Sequence, residues 1–401
     1  MEVRSERSGF FYLPCRLWYC KFNYICKECG NVATRQKIME TELFLEMLNI
    51  DSTSGNEAGF AEFLAGRLAG AGRRVETFEV GDGTQNLLVS WGTPNVFFCS
   101  HLDTVPPYIP PVASDSQISG RGTCDAKGQI FAMYEACKVL EANGCTDFGL
   151  LLLAGEETGS FGAKSFDRSS DVQIGEDAVV IVGEPTDNCM ASAAKGTKSF
   201  EVTFAGKACH SGYPENGCSA IEYFNDFMNA LRSIVFPEDE VLGGTTWNVG
   251  KLVSDNPQNI LSDSLSCRVY FRTTFESDEM VCNIMKNIAG PQAKLRFGRR
   301  RVQDGSDIVA KEVAPWQRAM SVKAFGGDTP SRFMILDGFP SKPVAFGSDA
   351  PQLTRFKNRI LCGPGSILVA HKENEHVALS DLETAVANYV KMYEIIKEKQ
   401  I

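Results

Sequence analysis

Glu156 and Glu157, two adjacent carboxylates, follow a run of four leucines at 150–153 and the pair Ala154-Gly155. The run reads as a strand buried on both faces, and Gly155 as the turn that closes it, so the glutamates arrive together at one edge of a sheet. Neighbouring carboxylates repel and shift each other's pKa, which suits a cation held between them. Taken alone, the pair reads equally well as a solvated acidic loop. The arrangement recurs, however. An apolar strand at 95–100 runs into His101-Leu102-Asp103, and another at 178–182 runs into Gly183-Glu184-Pro185. Three strands therefore end in imidazole or carboxylate groups, at the carboxyl ends where open α/β sheets build their sites.

Each remaining candidate has a plainer reading beside the chemical one. His101 could be a core histidine, although the chain has only 4. Asp103, two residues on, lies on the same side of an extended segment and is expected to hydrogen-bond the imidazole and set its tautomer. Asp125 stands in a glycine-punctuated loop at 120–128 that lacks the spacing of a phosphate cradle; alone it is a turn residue. His371 and His376 both fall in the segment 363–376.

The elements that must position these residues follow from periodicity. An amphipathic helix is expected at 39–50. A second helix follows Thr53, where Ser54-Gly55-Asn56-Glu57 has capping-box spacing ahead of Phe60, Phe63, Leu64 and Leu68. Strands are expected at 74–80 and 86–91, and a helix at 129–143. Between 195 and 301 the texture changes to strands with one face exposed (197–204, 265–273) and two helices (220–234, 277–289), an inserted strand-and-helix unit. Beyond it, a helix at 315–325, strand-like stretches at 343–346 and 359–362, and a final helix at 380–399 return to the first texture. The expected fold class is α/β: a mixed, largely parallel sheet with helices on both faces, built from 39–194 plus 302–401, with 195–301 inserted as an α+β unit.

Composition narrows the function classes. A chain of 401 residues with 43% hydrophobic content suits two domains with real cores. A net charge of -10 argues against nucleic acid or an anionic membrane as partner. The 14 cysteines are scattered through apolar runs, the usage of reduced thiols in a cytoplasmic protein. No apolar run approaches the roughly 20 residues that span a bilayer. Residues 1–38 read as an appended leader. Their Cys15, Cys20, Cys26 and Cys29 do not match the spacing of a common zinc module, and no continuous apolar core marks a signal peptide.

Together the motifs resemble the co-catalytic zinc deacylase and exopeptidase family that contains acetylornithine deacetylase, succinyl-diaminopimelate desuccinylase, aminoacylases and glutamate carboxypeptidase. The matching text is Ser-His-Leu-Asp-Thr-Val-Pro at 100–106, Gly-Arg-Gly-x-x-Asp-x-Lys-Gly at 120–128, Gly-Glu-Glu at 155–157, Gly-Glu-Pro-Thr at 183–186 and Ala-His-Lys-x-Asn-Glu at 370–375. The resemblance covers the chain from about Met39 onward. It implies a zinc-exopeptidase-like catalytic domain holding two zinc ions, for which cobalt may substitute. Asp125 would bridge them, with His101 and Glu184 on one ion and Glu157 and His371 on the other, a nitrogen and oxygen set that needs no thiolate. It also implies a cis peptide after Asp125, Asp103 as a catalytic partner and Glu156 as general base; the Cys124 thiol beside Asp125 is read as pointing away from the site.

The inserted unit resembles the family's lid or dimerisation domain. The resemblance implies a homodimer in which His210, in Gly206-Lys207-Ala208-Cys209-His210-Ser211-Gly212, reaches the partner's site and helps hold an oxyanion. Asn259 and Arg272 occupy the lid's substrate-contacting places, where Arg272 suits a free carboxylate. The expected activity is cleavage of the amide bond of an N-acyl amino acid or short peptide, with acetylornithine deacetylase or succinyl-diaminopimelate desuccinylase first. A dipeptidase or carboxypeptidase with the same site is the alternative. Readings of other classes are a metal-binding scaffold without catalysis and a dinuclear phosphoesterase; the retained Glu156 and the motif order stand against them.

Overall fold

The protein is described by a computed structural model over residues 40–81, 83–297 and 312–399. The leader at 1–38 and its four cysteines lie outside the described residues. In chain order the main strands are β1 (Arg73–Gly81), β2 (Thr84–Gly92), β3 (Val96–His101), β4 (Asp147–Leu153), β5 (Val179–Val182), β6 (Gly196–Ala205), β7 (Thr246–Val253), β8 (Ser264–Thr273), β9 (Met320–Gly326) and β10 (Asn358–Leu361). The main helices are α1 (Glu42–Leu48), α2 (Ala58–Leu68), α3 (Lys127–Ala142), α4 (Phe161–Arg168), α5 (Ala220–Arg232), α6 (Asp278–Asn287) and α7 (Leu379–Lys399).

Six strands form a mixed sheet in the order β1-β2-β4-β3-β5-β10, in which β4, β3, β5 and β10 run parallel and β1 and β2 antiparallel. The period of two along each strand divides its side chains between two cores. Val96 and Phe98 of β3 and Phe148, Leu150 and Leu152 of β4 pack with α1, α2, α3 and α7. Phe97, Cys99, Leu151 and Leu153 face the other way, among Ala163 and Phe166 of α4 and the stretch around Phe356. Burial on both faces is what makes these strands continuous apolar runs. α3 and α7 lie side by side on the first face, where the Tyr389 hydroxyl donates to the Cys362 carbonyl at 3.0 Å and its ring meets Phe98 edge-on.

A second sheet, antiparallel, runs β7-β8-β6-β9, with α5 and α6 covering one face over a core of its own. Two differences from the sequence reading fall here. Residues 315–325, expected as one helix of the first unit, form the short helix Pro315–Ala319 and then β9, which pairs with β6. The second sheet thus draws its fourth strand from beyond the expected boundary at 301. Its other edge, β7, is not among the expected strands: Gly250 and exposed positions break its alternation. The expected capping box is also absent. The residue ahead of α2 is Glu57, with no side-chain cap, and the Ser54 hydroxyl is used elsewhere.

Leu151 is fully buried in the middle of β4, flanked by β2 and β3. Leu151→Ala is expected to lower the unfolding free energy by about 2–5 kcal/mol, read as a fall in the urea midpoint at unchanged slope.

Candidate metal centre

Parallel register carries the site residues to one level. Cys99 of β3 lies opposite Val182 of β5, so Glu184, two past the end of β5, comes level with His101 at the end of β3. His101 is in turn opposite Leu153, the last residue of β4, and the chain then turns through Gly155 into Glu156 and Glu157. Gly155 has φ +66°, a left-handed conformation that favours glycine. Gly183, between β5 and Glu184, packs against α3 so closely that a Cβ would lie 2.7 Å from the Met133 side chain.

Asp125 sits where these strand ends meet the start of α3, and it belongs to two sets of candidate ligands. One is His101, Asp125 and Glu184; the other is Asp125, Glu157 and His371. Within each set the donor atoms lie within 4.8 Å of one another. His101 Nε2 is 2.9 Å from Asp125 Oδ1, while His371 Nε2 is 3.2 Å from Asp125 Oδ2 and 2.8 Å from Glu157 Oε1. The structure thus brings together all five residues that the resemblance names as ligands, with Asp125 shared, and the peptide after Asp125 is cis. A third set, His101, Glu156 and Glu157, places Glu156 beside the same imidazole. His376 is outside these sets, its Nδ1 2.8 Å from the Asn374 carbonyl.

Electrostatics show what the cluster lacks. Burial pushes the Glu156 and Glu184 carboxyls well above the usual carboxylate range, and the neighbouring carboxylates add to the rise. Burial raises Glu157 as well. His101 is pulled down by burial but raised further by Asp103 and Asp125, ending well above its ordinary value, and His371 is pushed up to about 10 by Asp125 and Glu157. Each imidazole is thus standing in as the counter-charge. Among the described residues no lysine or arginine forms an ion pair with Asp125, Glu156, Glu157 or Glu184. An oxygen and nitrogen set of this kind, sharing one carboxylate between two groups, fits two divalent cations.

The surrounding residues hold the ligands. Glu375, fully buried, accepts the backbone N–H groups of Gly122, Cys124 and Asp125 on Oε1 at 2.9, 3.1 and 3.2 Å and pairs with the Arg121 guanidinium through Oε2. The Cys124 thiol donates to the Ser366 carbonyl at 3.3 Å, and burial raises it. Asp103 departs from expectation in part. His101 Nδ1 lies 2.9 Å from the Asp103 backbone carbonyl and 3.4 Å from its carboxylate. That carboxylate accepts the N–H groups of Glu156 at 3.0 Å and Glu157 at 3.2 Å. Sequence reasoning gave no role to Glu375 or to Asp349. Asp349 is buried with the Ser160 side chain beside it, and burial pushes its carboxyl up to about 7. Nothing in its surroundings in sequence marks it.

His210 and Asn259 lie on the second unit, both exposed and joined through their backbones: Ser211 N–H donates to the Asn259 carbonyl at 2.9 Å. His210 is not in the ligand sets of its own chain. Arg272, on β8, stacks over Tyr270 with its guanidinium 5.0 Å from the ring centroid, and its Nη1 is 3.8 Å from where a Cβ on Gly347 would lie.

A profile of the peptidase family M20/M25/M40 matches residues 97–394. The chain belongs to this family. A probable carboxypeptidase of Aspergillus flavus is 30% identical, with 92% of this chain and 91% of that protein covered. Among solved structures, a tripeptidase of Staphylococcus aureus superposes with a TM-score of 0.70 at 20% identity, covering 88% of this chain and 96% of its own. A dinuclear metal-binding peptidase of the M20 family from Bacillus subtilis gives a TM-score of 0.59 at 12% identity, covering 89% and 96%. M20 membership makes this chain a metal-dependent hydrolase of a dinuclear family. No helix among its described residues is long and apolar enough to cross a membrane.

Two outcomes follow for metal binding. Both histidines and the glutamate ligands hold their protons to higher pH than usual, so a cation must displace protons to bind. Apparent affinity therefore rises with pH: the thermal stabilisation of chelator-stripped protein by added Zn2+ is expected to be larger at about pH 8 than at about pH 5.5. Glu375→Ala leaves the Arg121 charge buried and unpaired. It is expected to cost about 3–5 kcal/mol of stability and to weaken metal affinity about 10–100-fold, checked by denaturant titration and by metal content after dialysis.

Proposed function

We propose that this chain is a carboxypeptidase-type hydrolase holding two zinc ions, cleaving the amide bond that joins an acyl or peptidyl group to an amino acid with a free α-carboxylate. The observation that carries the reading is Asp125 shared between two ligand sets, with Glu156 beside them and not needed as a ligand in either. Zinc suits a nitrogen and oxygen set of two histidines and three carboxylates, and cobalt can take its place. Two bound cations would polarise the scissile carbonyl and acidify the attacking water.

The residues supply the rest. Glu156 takes a proton at its carboxylate and delivers it to the departing amine, and the burial that raises its pKa makes it a better proton acceptor than an exposed carboxylate. Asp103 holds the Glu156 and Glu157 backbone in place. Arg272 offers a planar fork to the substrate carboxylate, and Asn259 supplies a polar contact from the same unit. His210, exposed and apart from its own chain's ligand sets, suits a homodimer in which it stabilises the oxyanion at the partner's site through the inserted unit. The Aspergillus flavus relative's name, probable carboxypeptidase, favours a peptide with a free C-terminal carboxylate over N-acetylornithine or N-succinyl-diaminopimelate as substrate. The acetylornithine deacetylase reading keeps the same chemistry with a different acyl group.

The test is amine release by zinc- or cobalt-loaded protein on N-acyl amino acids, di- and tripeptides, N-acetylornithine and N-succinyl-diaminopimelate. Release of the C-terminal residue, abolished when that residue is amidated, is expected; selective turnover of N-acetylornithine would restore the deacetylase reading, and silence with metal bound would favour the scaffold. Glu156→Gln is expected to lose about 10²–10⁴-fold in kcat with metal content intact. His210→Ala should lose about 10²–10³-fold in kcat, again with metal retained.

A further inference from the structure

The motif at 54–57, read from spacing as a helix cap, does something else. The Ser54 hydroxyl donates to Asp103 Oδ2 at 2.8 Å, across 49 residues of chain. The backbone around it runs alongside the end of the ligand-bearing strand: Ser54 N–H donates to the Thr104 carbonyl and Thr104 N–H to the Ser52 carbonyl, each at 3.0 Å. The preceding stretch is pinned to the Asp125 loop, because the buried Lys127 ammonium donates to the carbonyls of Met47, at 3.0 Å, and Ile50. Residues 47–54 thus form a strap with one end tied beside the shared ligand and the other to Asp103.

Asp103 is fully buried, and among the described residues no lysine or arginine pairs with it. Its carboxylate is satisfied by neutral donors and by His101 nearby: Glu156 N–H on Oδ1, and Glu157 N–H and the Ser54 hydroxyl on Oδ2. A buried carboxylate is held in one orientation by the donors it accepts, and losing one of them leaves an oxygen short of a partner. Asn86 Oδ1 accepts the Ala154 N–H at 3.0 Å at the start of the turn and His371 meets the Glu157 side chain, while the bonds that close the turn itself are local, such as Gly159 N–H and Ser160 N–H to the Glu156 carbonyl. Asp103 is therefore the long-range anchor of the Glu156 and Glu157 backbone N–H groups, and Ser54 fixes that anchor.

We propose that Ser54 is a positioning residue for Glu156, its hydroxyl orienting the Asp103 carboxylate that receives the backbone N–H groups of Glu156 and Glu157. The inference rests on Glu156 being the general base. Displacements of about 1 Å at a catalytic group can cost about 10²-fold in rate, so a partial loosening of the turn should cost about tenfold.

The experiment compares Ser54→Ala, Ser54→Cys and Ser54→Thr with wild type and Glu156→Gln in the full chain. Cysteine keeps the size but donates weakly, and threonine keeps the hydroxyl. In metal-free protein, hydrogen–deuterium exchange of the segment 154–160 should quicken about tenfold in the alanine and cysteine variants and return towards wild type with threonine. In zinc-loaded protein, kcat should fall about tenfold with KM within about twofold, metal content unchanged, and threonine restoring kcat. Wild-type exchange and kcat in the alanine and cysteine variants, with Glu156→Gln inactive, would overturn the inference and leave the base intact. Loss of kcat in step with metal content or Tm would make Ser54 a structural residue only. An active Glu156→Gln would remove the base beneath the proposal, whatever the exchange shows.

Discussion

Repulsion among buried carboxylates is the constraint that the rest of this protein answers. Asp125, Glu156, Glu157 and Glu184 converge at the end of one sheet with two imidazoles and no paired lysine or arginine among the described residues. Left to itself such a cluster must take up protons, and burial accordingly raises the three glutamates. Asp125 alone is held low, because both imidazoles face it. The charge that the protein withholds is the charge that divalent cations would bring. The fold's work is to keep the ligands close to one another, with His101, Asp125 and Glu184 buried and His371 open to solvent, until that charge arrives.

It does so with rigid, neutral supports. The carboxyl ends of parallel strands set three of the positions by register alone. Backbone N–H groups then fix the rest: Glu375 gathers three of them beneath the Asp125 loop, and Asp103 receives two from the glutamate turn. Both supporting residues are themselves carboxylates, yet they add little free negative charge, since one is paired to Arg121 and the other is surrounded by donors. Gln129 performs the corresponding neutral service on the far side, its amide donating to the carbonyls of Cys124 and Pro364 at 2.9 Å each. Loops that would otherwise repel are thus joined through hydrogen bonds to a common scaffold, and mutation of a support should be felt at ligands it never touches.

What was legible in the sequence follows from how local its cause is. The buried strands 96–101, 147–153 and 179–182 are apolar runs that end in ligands, so both the sheet and the residues His101, Glu156, Glu157 and Glu184 could be read along the chain. Asp125 and His371 were harder: each sits in a loop, and only the ordered family motifs separated them from ordinary turn residues. The strand 320–326 lies within a stretch whose sequence reads as helix, and what makes it a strand is pairing with residues 199–204, which no local period records. Ser54 was misread for a related reason. Its spacing to Glu57 is that of a cap, but a partner 49 residues away takes its hydroxyl. Asp349 carries no local signal, being defined by what surrounds it in space.

The two sheets divide the labour by their chemistry. The parallel one, buried on both faces, can hold its strand ends to the tolerances that two adjacent cations demand. The antiparallel one keeps one face uncovered and presents polar groups, His210 and Asn259 on loops and Arg272 on a strand, that play no part in ligation. On the proposed reading, recognition and metal binding fall on separate cores, joined through the stretch near Lys195, whose N–H donates to the Val344 carbonyl at 3.1 Å. A substrate selected by the second unit would then meet its chemistry only at the first. On that reading, changes in the loops around His210 or in the strand carrying Arg272 would alter which amide is cleaved without disturbing the ligands, since function lives in the site and its surroundings and not in the fold.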